Sequence, residues 1–182
     1  MLKKKNGSNL ILGVCGSIAA YKVCDLIRNL KANKFEVTCI LTEAAQKFIT
    51  KLTLQTLSGT QVYTDLFSDY FSIPGHISLS ERADLIIVIP ATADIIAKLA
   101  TGHSDDLLTC VILSSKSKVL ICPAMDTNMW LHPATQRNVK QLKEYGYYFI
   151  GPETGKLASG KEGIGRLVSI DKILKKVNEL IK

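Results

Sequence analysis

At 182 residues, 47% hydrophobic and 21% charged, the chain suits one compact domain and has no room for a second full one. Its formal net charge of +7 raises nucleic acid as a partner, but the lysines are scattered and no basic run is interleaved with aromatics. No nucleic-acid partner is therefore expected, and a phosphorylated small molecule explains the mild excess equally well.

Residues 1–5 resemble the charged start of a signal peptide, but the apolar run at 10–14 is too short for one and ends in a glycine turn, so it reads as a first buried strand. Residues 18–32 follow with helical periodicity, Val23, Leu26, Ile27 and Leu30 falling on one face. A β-branched strand is predicted at 36–42, a helix beginning at 44–48 and a second short one at 53–58. The run Leu-Ile-Ile-Val-Ile within 84–90 reads as a central parallel strand buried on both faces. Helices are predicted at 93–101 and 106–115, a strand at 118–122, an amphipathic helix at 135–144, a late strand at 147–150 and a closing helix at 171–181. Strand and helix alternate, which implies a parallel sheet covered on both faces, with ligands gathered beyond the carboxyl ends of the strands. No apolar run reaches the roughly 18 residues of a membrane span, and a cytoplasmic protein with no membrane partner is expected. The five cysteines contain no CxxC pair and the three histidines lack ligand spacing, so neither a disulfide framework nor a metal site is expected.

Six segments carry candidate chemistry. At 13–20, Gly16 permits close backbone approach and Ser17 adds a hydroxyl at a helix start, which suits a phosphate; a tight turn with a serine cap fits as well. Thr42, after the second strand, either meets the same phosphate or caps the next helix. At Pro90-Ala91-Thr92-Ala93-Asp94 small side chains let a planar ring lie against the backbone, with Thr92 and Asp94 as hydrogen-bonding groups; the alternative is a capped turn. His76 is a lone histidine ahead of the central strand, either structural or proton-transferring. The proline-led loop at 123–130 gathers Met125, Asp126, Asn128, Met129 and Trp130 at a strand's carboxyl end, where packing alone does not explain it. Five glycines within 151–166 suggest a mobile flap over substrate, or an exposed linker.

Taken together, from about residue 13 to residue 166, these segments resemble the flavin-containing cysteine decarboxylases. That family includes phosphopantothenoylcysteine decarboxylase and the lantibiotic peptidyl-cysteine decarboxylases. The most specific part is Pro123-Ala124-Met125-Asp126-Thr127-Asn128-Met129-Trp130, which is similar to the family's Pro-x-Met-Asn-x-x-Met-Trp motif. The resemblance implies an α/β, flavodoxin-like (Rossmann-like) three-layer sandwich with a parallel sheet, a single flavoprotein domain over 1–182, and a mobile flap at about 151–167. It implies FMN at a subunit boundary of a homotrimer or homododecamer. Gly16, Ser17 and Thr42 match its phosphate contacts, Pro90, Ala91, Thr92 and Ala93 its ring contacts, with Met125 near the ring and Asp105 in a segment near flavin and trimer contact. His76 matches the catalytic histidine; Asp126, Asn128, Met129, Ala158 and Lys161 fall in the substrate loop and flap. The implied reaction takes 4'-phosphopantothenoylcysteine to 4'-phosphopantetheine: oxidation of the cysteine side chain to a thioaldehyde, loss of carbon dioxide toward sulfur, and reduction of the enethiolate. The cofactor supplies that chemistry and the protein the orientation.

Two positions depart from the family. Asp126 stands where the motif has asparagine, and an ionised carboxylate would repel a substrate carboxylate that an amide would bind, which leaves Asn128 as the donor. Ser159 stands where coenzyme A-pathway members carry the cysteine thought to donate the final proton, and a hydroxyl is a far weaker acid than a thiol of pKa about 8.5. The expectations are slow reduction, release of the oxidised enethiol, or a serine substituted deliberately as a trap. An oxidative peptidyl-cysteine decarboxylase of lantibiotic type is the nearest alternative, and a prenyl-flavin synthase another. A flavin-fold regulatory subunit is the non-enzyme alternative, opposed by His76 and the lack of an acidic tail. In many bacteria the decarboxylase is fused to phosphopantothenate–cysteine ligase; here that ligase is expected as a separate partner or as part of a longer protein.

Overall fold

The computed structural model describes residues 7–67 and 75–181. Strand β1 (Asn9–Val14) passes through a 3-10 turn (Ile18–Lys22) into α1 (Val23–Ala32), then β2 (Glu36–Leu41) and a second 3-10 turn (Ala44–Lys47). Next come α2 (Lys51–Ser58), β3 (Val62–Tyr63), α3 (Gly75–Arg82), β4 (Leu85–Ala91), α4 (Ala93–Thr101), α5 (Leu107–Ser114) and β5 (Lys118–Pro123). The chain closes with α6 (Thr127–Leu131), α7 (Pro133–Glu144), β6 (Tyr148–Phe149), β7 (Glu153–Lys156), β8 (Glu162–Arg166) and α8 (Ile170–Leu180).

The period-two alternation of the strands sorts their side chains into two cores. Leu85, Ile87 and Ile89 of β4 join Leu10, Leu12 and Val14 of β1 on one face, beneath α1, α2 and α8. Ile86 and Val88 join Ile11 on the other, beneath α4, α5 and α7. All five residues of β4 from Leu85 to Ile89 are fully buried, which is why this strand reads as a continuous apolar run. Burying each such side chain contributes about 1.5–3 kcal/mol, so the sheet centre is where the fold is held most firmly. No helix among the described residues is long and apolar enough to cross a membrane.

Six strands pair in parallel in the order β3-β2-β1-β4-β5-β6. The order reverses between β1 and β4, so a crevice opens beyond their carboxyl ends. This is the expected three-layer parallel sandwich. Two departures from the predicted elements bear on the crevice. The helix predicted over 18–32 begins as a 3-10 turn, because Ala20 N–H bonds back to the Ser17 carbonyl at 2.9 Å and winds the first turn tightly. The segment predicted as a flap is an antiparallel hairpin of β7 and β8, closed where Leu157 N–H donates to the Lys161 carbonyl at 2.8 Å and Gly160 takes φ +81°. The short strand β3 and helices α3 and α6 were not predicted.

Candidate functional site

Two clefts open at the carboxyl edge of the sheet. The first, of about 640 Å³, lies beyond β1, β2 and β4 and is lined by Gly16, Thr42, Thr92 and Met129 together with charged residues. Its floor is close-packed: a Cβ at Gly16 would fall 2.5 Å from the Ala44 Cβ, so only glycine lets the loop after β1 rest on the turn after β2. Ser17 Oγ accepts from Ala19 N–H at 3.4 Å, Thr42 Oγ1 from Ala45 N–H at 3.3 Å and Thr92 Oγ1 from Ile95 N–H at 3.3 Å. Capping uses the hydroxyl only as an acceptor, and its own proton stays available to a ligand oxygen. The two readings left open by the sequence, cap or ligand donor, are therefore compatible at all three residues.

The charged lining of this cleft is mainly acidic, with Glu43, Asp94, Asp105 and Asp106 against Lys47 and Lys98, and Lys98 is held by its carboxylates. Lys98 Nζ lies 3.0 Å from Asp105, 3.4 Å from Asp106 and 4.0 Å from Asp94. Burial alone would lower the lysine pKa, but the hydrogen bond to Asp105 and the charges of Asp106 and Asp94 outweigh it and raise the value. Asp105 is held below the usual carboxylate range by its hydrogen bond to Lys98. Asp106 also caps α5, accepting from Thr109 N–H at 2.8 Å. Cys15 lines the cleft but is buried, and burial, reinforced by Asp106, pushes its thiol pKa up. Cys39, in the core, is pushed up to about 12 by burial. Neither is a ready thiolate.

The second cleft, of about 660 Å³, lies between the turn after β1, the loop after β5 and the β7–β8 hairpin. Ser17, Met125, Asp126, Ala158 and Ser159 line it, so the hairpin brings Ala158 and Ser159 to the loop at 123–130. Two hydrogen bonds stitch hairpin to loop: Met125 N–H to the Gly165 carbonyl at 3.0 Å and Thr127 Oγ1 to the Ile164 carbonyl at 2.7 Å. Gly165 has φ +142°, and a Cβ there would fall 2.1 Å from the Met125 carbonyl oxygen. The glycine run thus serves close packing of the hairpin on the loop. Asp126 accepts from Asn128 N–H at 2.9 Å and caps α6. An aspartate oxygen does this as well as an asparagine oxygen, which accounts locally for the first departure from the motif.

The charge of the second cleft is opposite to that of the first. Lys22, Lys156 and Arg166 line it, against the single carboxylate of Asp126 among the described residues. Burial, followed by the nearby Arg166, lowers the Lys22 pKa, with Glu153 acting the other way. No cysteine lines this cleft. Lys22, Lys156 and Arg166 were missed in the sequence, although Lys22 closes the turn after the Gly16–Ser17 segment and Arg166 ends the glycine run.

Other expected site residues line neither cleft. Pro90 and Ala91 are buried at the end of β4 and Ala93 begins α4 beside Thr92. Asn128 is exposed on α6 and Lys161 is exposed just past the hairpin turn. His76 is half-buried in the first turn of α3.

The chain belongs to the Flavoprotein family, whose sequence model matches residues 1–182. It is 46% identical over 171 residues to the coenzyme A biosynthesis bifunctional protein CoaBC of Bacillus subtilis, covering 93% of this chain and 42% of that protein. The chain spans about two fifths of the length of the curated relatives it matches. Its structure is similar to a cysteine-to-serine mutant of PPC decarboxylase complexed with pantothenoylaminoethenethiol, with a TM-score of 0.86, 30% identity, and coverage of 95% of this chain and 97% of that one. It is also similar to the FMN-dependent cysteine decarboxylase SpaF, with a TM-score of 0.83, 29% identity, and coverage of 97% and 96%. These likenesses bear out the resemblance to the flavin-containing cysteine decarboxylases and the three-layer fold it implied.

Proposed function

We propose that this chain is an FMN-dependent decarboxylase that converts 4'-phosphopantothenoylcysteine to 4'-phosphopantetheine in coenzyme A biosynthesis. The observation that carries this reading is the pairing of the two clefts at one sheet edge: a hydroxyl-lined cleft at the strand-order reversal, beside a basic cleft closed by the hairpin. The names of the relatives support it, since one is a coenzyme A biosynthesis protein and another a PPC decarboxylase holding a pantothenoyl compound.

The residues fit a flavin mononucleotide. Gly16 lets the loop after β1 pack down on Ala44, and Ser17, Thr42 and Thr92 each keep a hydroxyl proton to donate. Gly16, Ser17 and Thr42 would hold the phosphate; Pro90, Ala91, Thr92 and Ala93 would face the ring, with Met125 and Asp105 nearby. When bound, FMN supplies the oxidation of the cysteine side chain and the later reduction. Asn128, with Met129, binds the substrate carboxylate, because the Asp126 carboxylate would repel it. Ala158 and Lys161 belong to the hairpin that excludes water from the reacting end. His76 lines neither cleft of its own chain, and in the homotrimer or homododecamer we propose it serves the site of a neighbouring copy as the proton-transferring group. The enzyme works in the cytoplasm, downstream of a phosphopantothenate–cysteine ligase.

Ser159 favours a second outcome at the same site. Among the described residues no thiol lines the hairpin cleft, so the final protonation would lack a thiol donor, and the oxidised enethiol would be released with its two electrons left on the cofactor until dissolved oxygen takes them up. The relative that carries a cysteine-to-serine substitution holds pantothenoylaminoethenethiol, a compound of that kind.

Mass spectrometry of the reaction of flavin-loaded protein with synthetic 4'-phosphopantothenoylcysteine tests both. Loss of carbon dioxide alone establishes the complete reaction. Loss of carbon dioxide and two hydrogens establishes the oxidative half and leaves Ser159 as the candidate block, which Ser159→Cys then tests. Turnover of a cysteine-terminated peptide, with none of the small substrate, overturns the substrate assignment.

A further inference from the structure

We propose that Lys22 and Arg166 form the phosphate-recognising corner of the hairpin cleft and so set a preference for phosphorylated over non-phosphorylated pantothenoylcysteine. This rests on the substrate proposed above. Lys22 comes from the end of the 3-10 turn after β1 and Arg166 from the end of β8, so the fold, not the sequence, brings them together. Arg166 lies across the hairpin over Gly155, where a Cβ would fall 3.0 Å from its Cδ and Nη1. A residue without a side chain at 155 is what lets the guanidinium lie there.

Neither cation has an ion-pair partner within 4 Å among the described residues. Glu153, the carboxylate whose charge acts on Lys22, accepts a hydrogen bond from Lys172. Both side chains line the cleft, and Arg166 acts on Lys22 as a like charge, second to burial in lowering its pKa, so an anion bound between them would be favoured. A phosphate suits the pair. Guanidinium binds two of its oxygens in parallel and ammonium adds a point charge. Ile18, Ala19 and Leu167 give the cleft an apolar stretch beside its polar residues Ser17, Asp126, Lys156 and Ser159, which suits the uncharged pantothenoyl arm that separates the phosphate from the cysteine.

The phosphate of FMN offers the same chemistry, and the experiment separates the two sources. Lys22→Gln, Arg166→Gln and the double variant are compared with the parent for kcat/KM on 4'-phosphopantothenoylcysteine and on pantothenoylcysteine. Calorimetric affinity for 4'-phosphopantetheine and for pantetheine, and flavin absorbance per chain, are measured on the same samples. Each single variant should lower the phosphorylated-to-non-phosphorylated ratio roughly tenfold or more, in kcat/KM and in affinity, with flavin content held. Lys22→Arg should keep the ratio, which separates charge from packing. A ratio unchanged in both single variants overturns the proposal. Loss of flavin with both substrates falling alike assigns the corner to the cofactor and also overturns it. If the parent protein turns over neither substrate, the proposed function fails. The corner is then judged on binding alone: it stands if a parental preference for 4'-phosphopantetheine disappears in the variants, and falls if the parent has none.

Discussion

The two clefts share an edge of the sheet and nearly share residues, for Gly16 faces one and Ser17 the other, yet their polar groups are used in opposite ways. In the hydroxyl-lined cleft Lys98 is surrounded by three carboxylates, and Thr42 and Thr92 already accept backbone N–H groups. That wall is complete before any ligand arrives. In the hairpin cleft Lys22 and Arg166 have no ion-pair partner within 4 Å among the described residues. A cation already held by carboxylates has little charge left for a ligand, whereas cations without ion-pair partners remain for an incoming anion.

The contrast can be broken most severely at Gly165. Gly165→Ala drives a Cβ onto the Met125 carbonyl oxygen at a positive φ. It should cost about 2 kcal/mol or more by urea denaturation and abolish turnover, while the hydroxyl-lined cleft still takes up flavin. Loss of flavin as well would show that the clefts do not act separately. Gly16→Val is the reciprocal change. Its side chain meets Ala44, and flavin affinity, followed by fluorescence titration, should fall roughly tenfold or more while the hairpin keeps its protection from proteolysis.

A finer cut is Ser159→Cys, which leaves both clefts intact and changes only the acidity at the hairpin tip. The product should shift from enethiol toward thiol, and an unchanged product ratio would remove Ser159 from the chemistry. The smallest effect belongs to Lys98→Met. Its partners are largely exposed, so the melting temperature should fall by about 2 °C at most at low salt and less at high salt. The pH dependence has a definite sign. Asp105 is depressed in the folded protein, so its contribution is present above the unfolded value of about 3.9 and lost as pH falls through the folded one. Lys98 is raised, so its contribution is present below about 10.4 and lost as pH rises through the folded value. Thermal melts of Lys98→Met across pH should lose both increments.

Much of the fold could be read from the chain because burial leaves a clear imprint on composition. Residues 85–89 are apolar without interruption since helices cover both faces of β4, and the spacing of Val23, Leu26, Ile27 and Leu30 follows from the single face that α1 buries. Val62–Tyr63 left no such mark, being a two-residue strand at the sheet edge. The hairpin escaped for a different reason. Its strands Glu-Thr-Gly-Lys and Glu-Gly-Ile-Gly-Arg bury little and lack an apolar alternation, so their order comes from docking on the Met125–Thr127 loop. The site was half legible. Residues just after each strand stood out by position, but the meeting of Lys22 with Arg166 depends on contacts between opposite ends of the chain, and each alone resembles an ordinary solvated cation.

The hairpin also separates an anchor from a tip. Its base is fixed by Gly163 and Gly165 against Thr127 and Met125, where any side chain would collide. The tip at 158–160 is exposed and closed on itself by the bond from Leu157 to Lys161. Mutation can therefore exchange the tip, a serine for a cysteine included, without disturbing the docking beneath it. Docking and tip are thereby decoupled, and substitutions at the three exposed positions 158–160 change what the hairpin presents without changing where it sits.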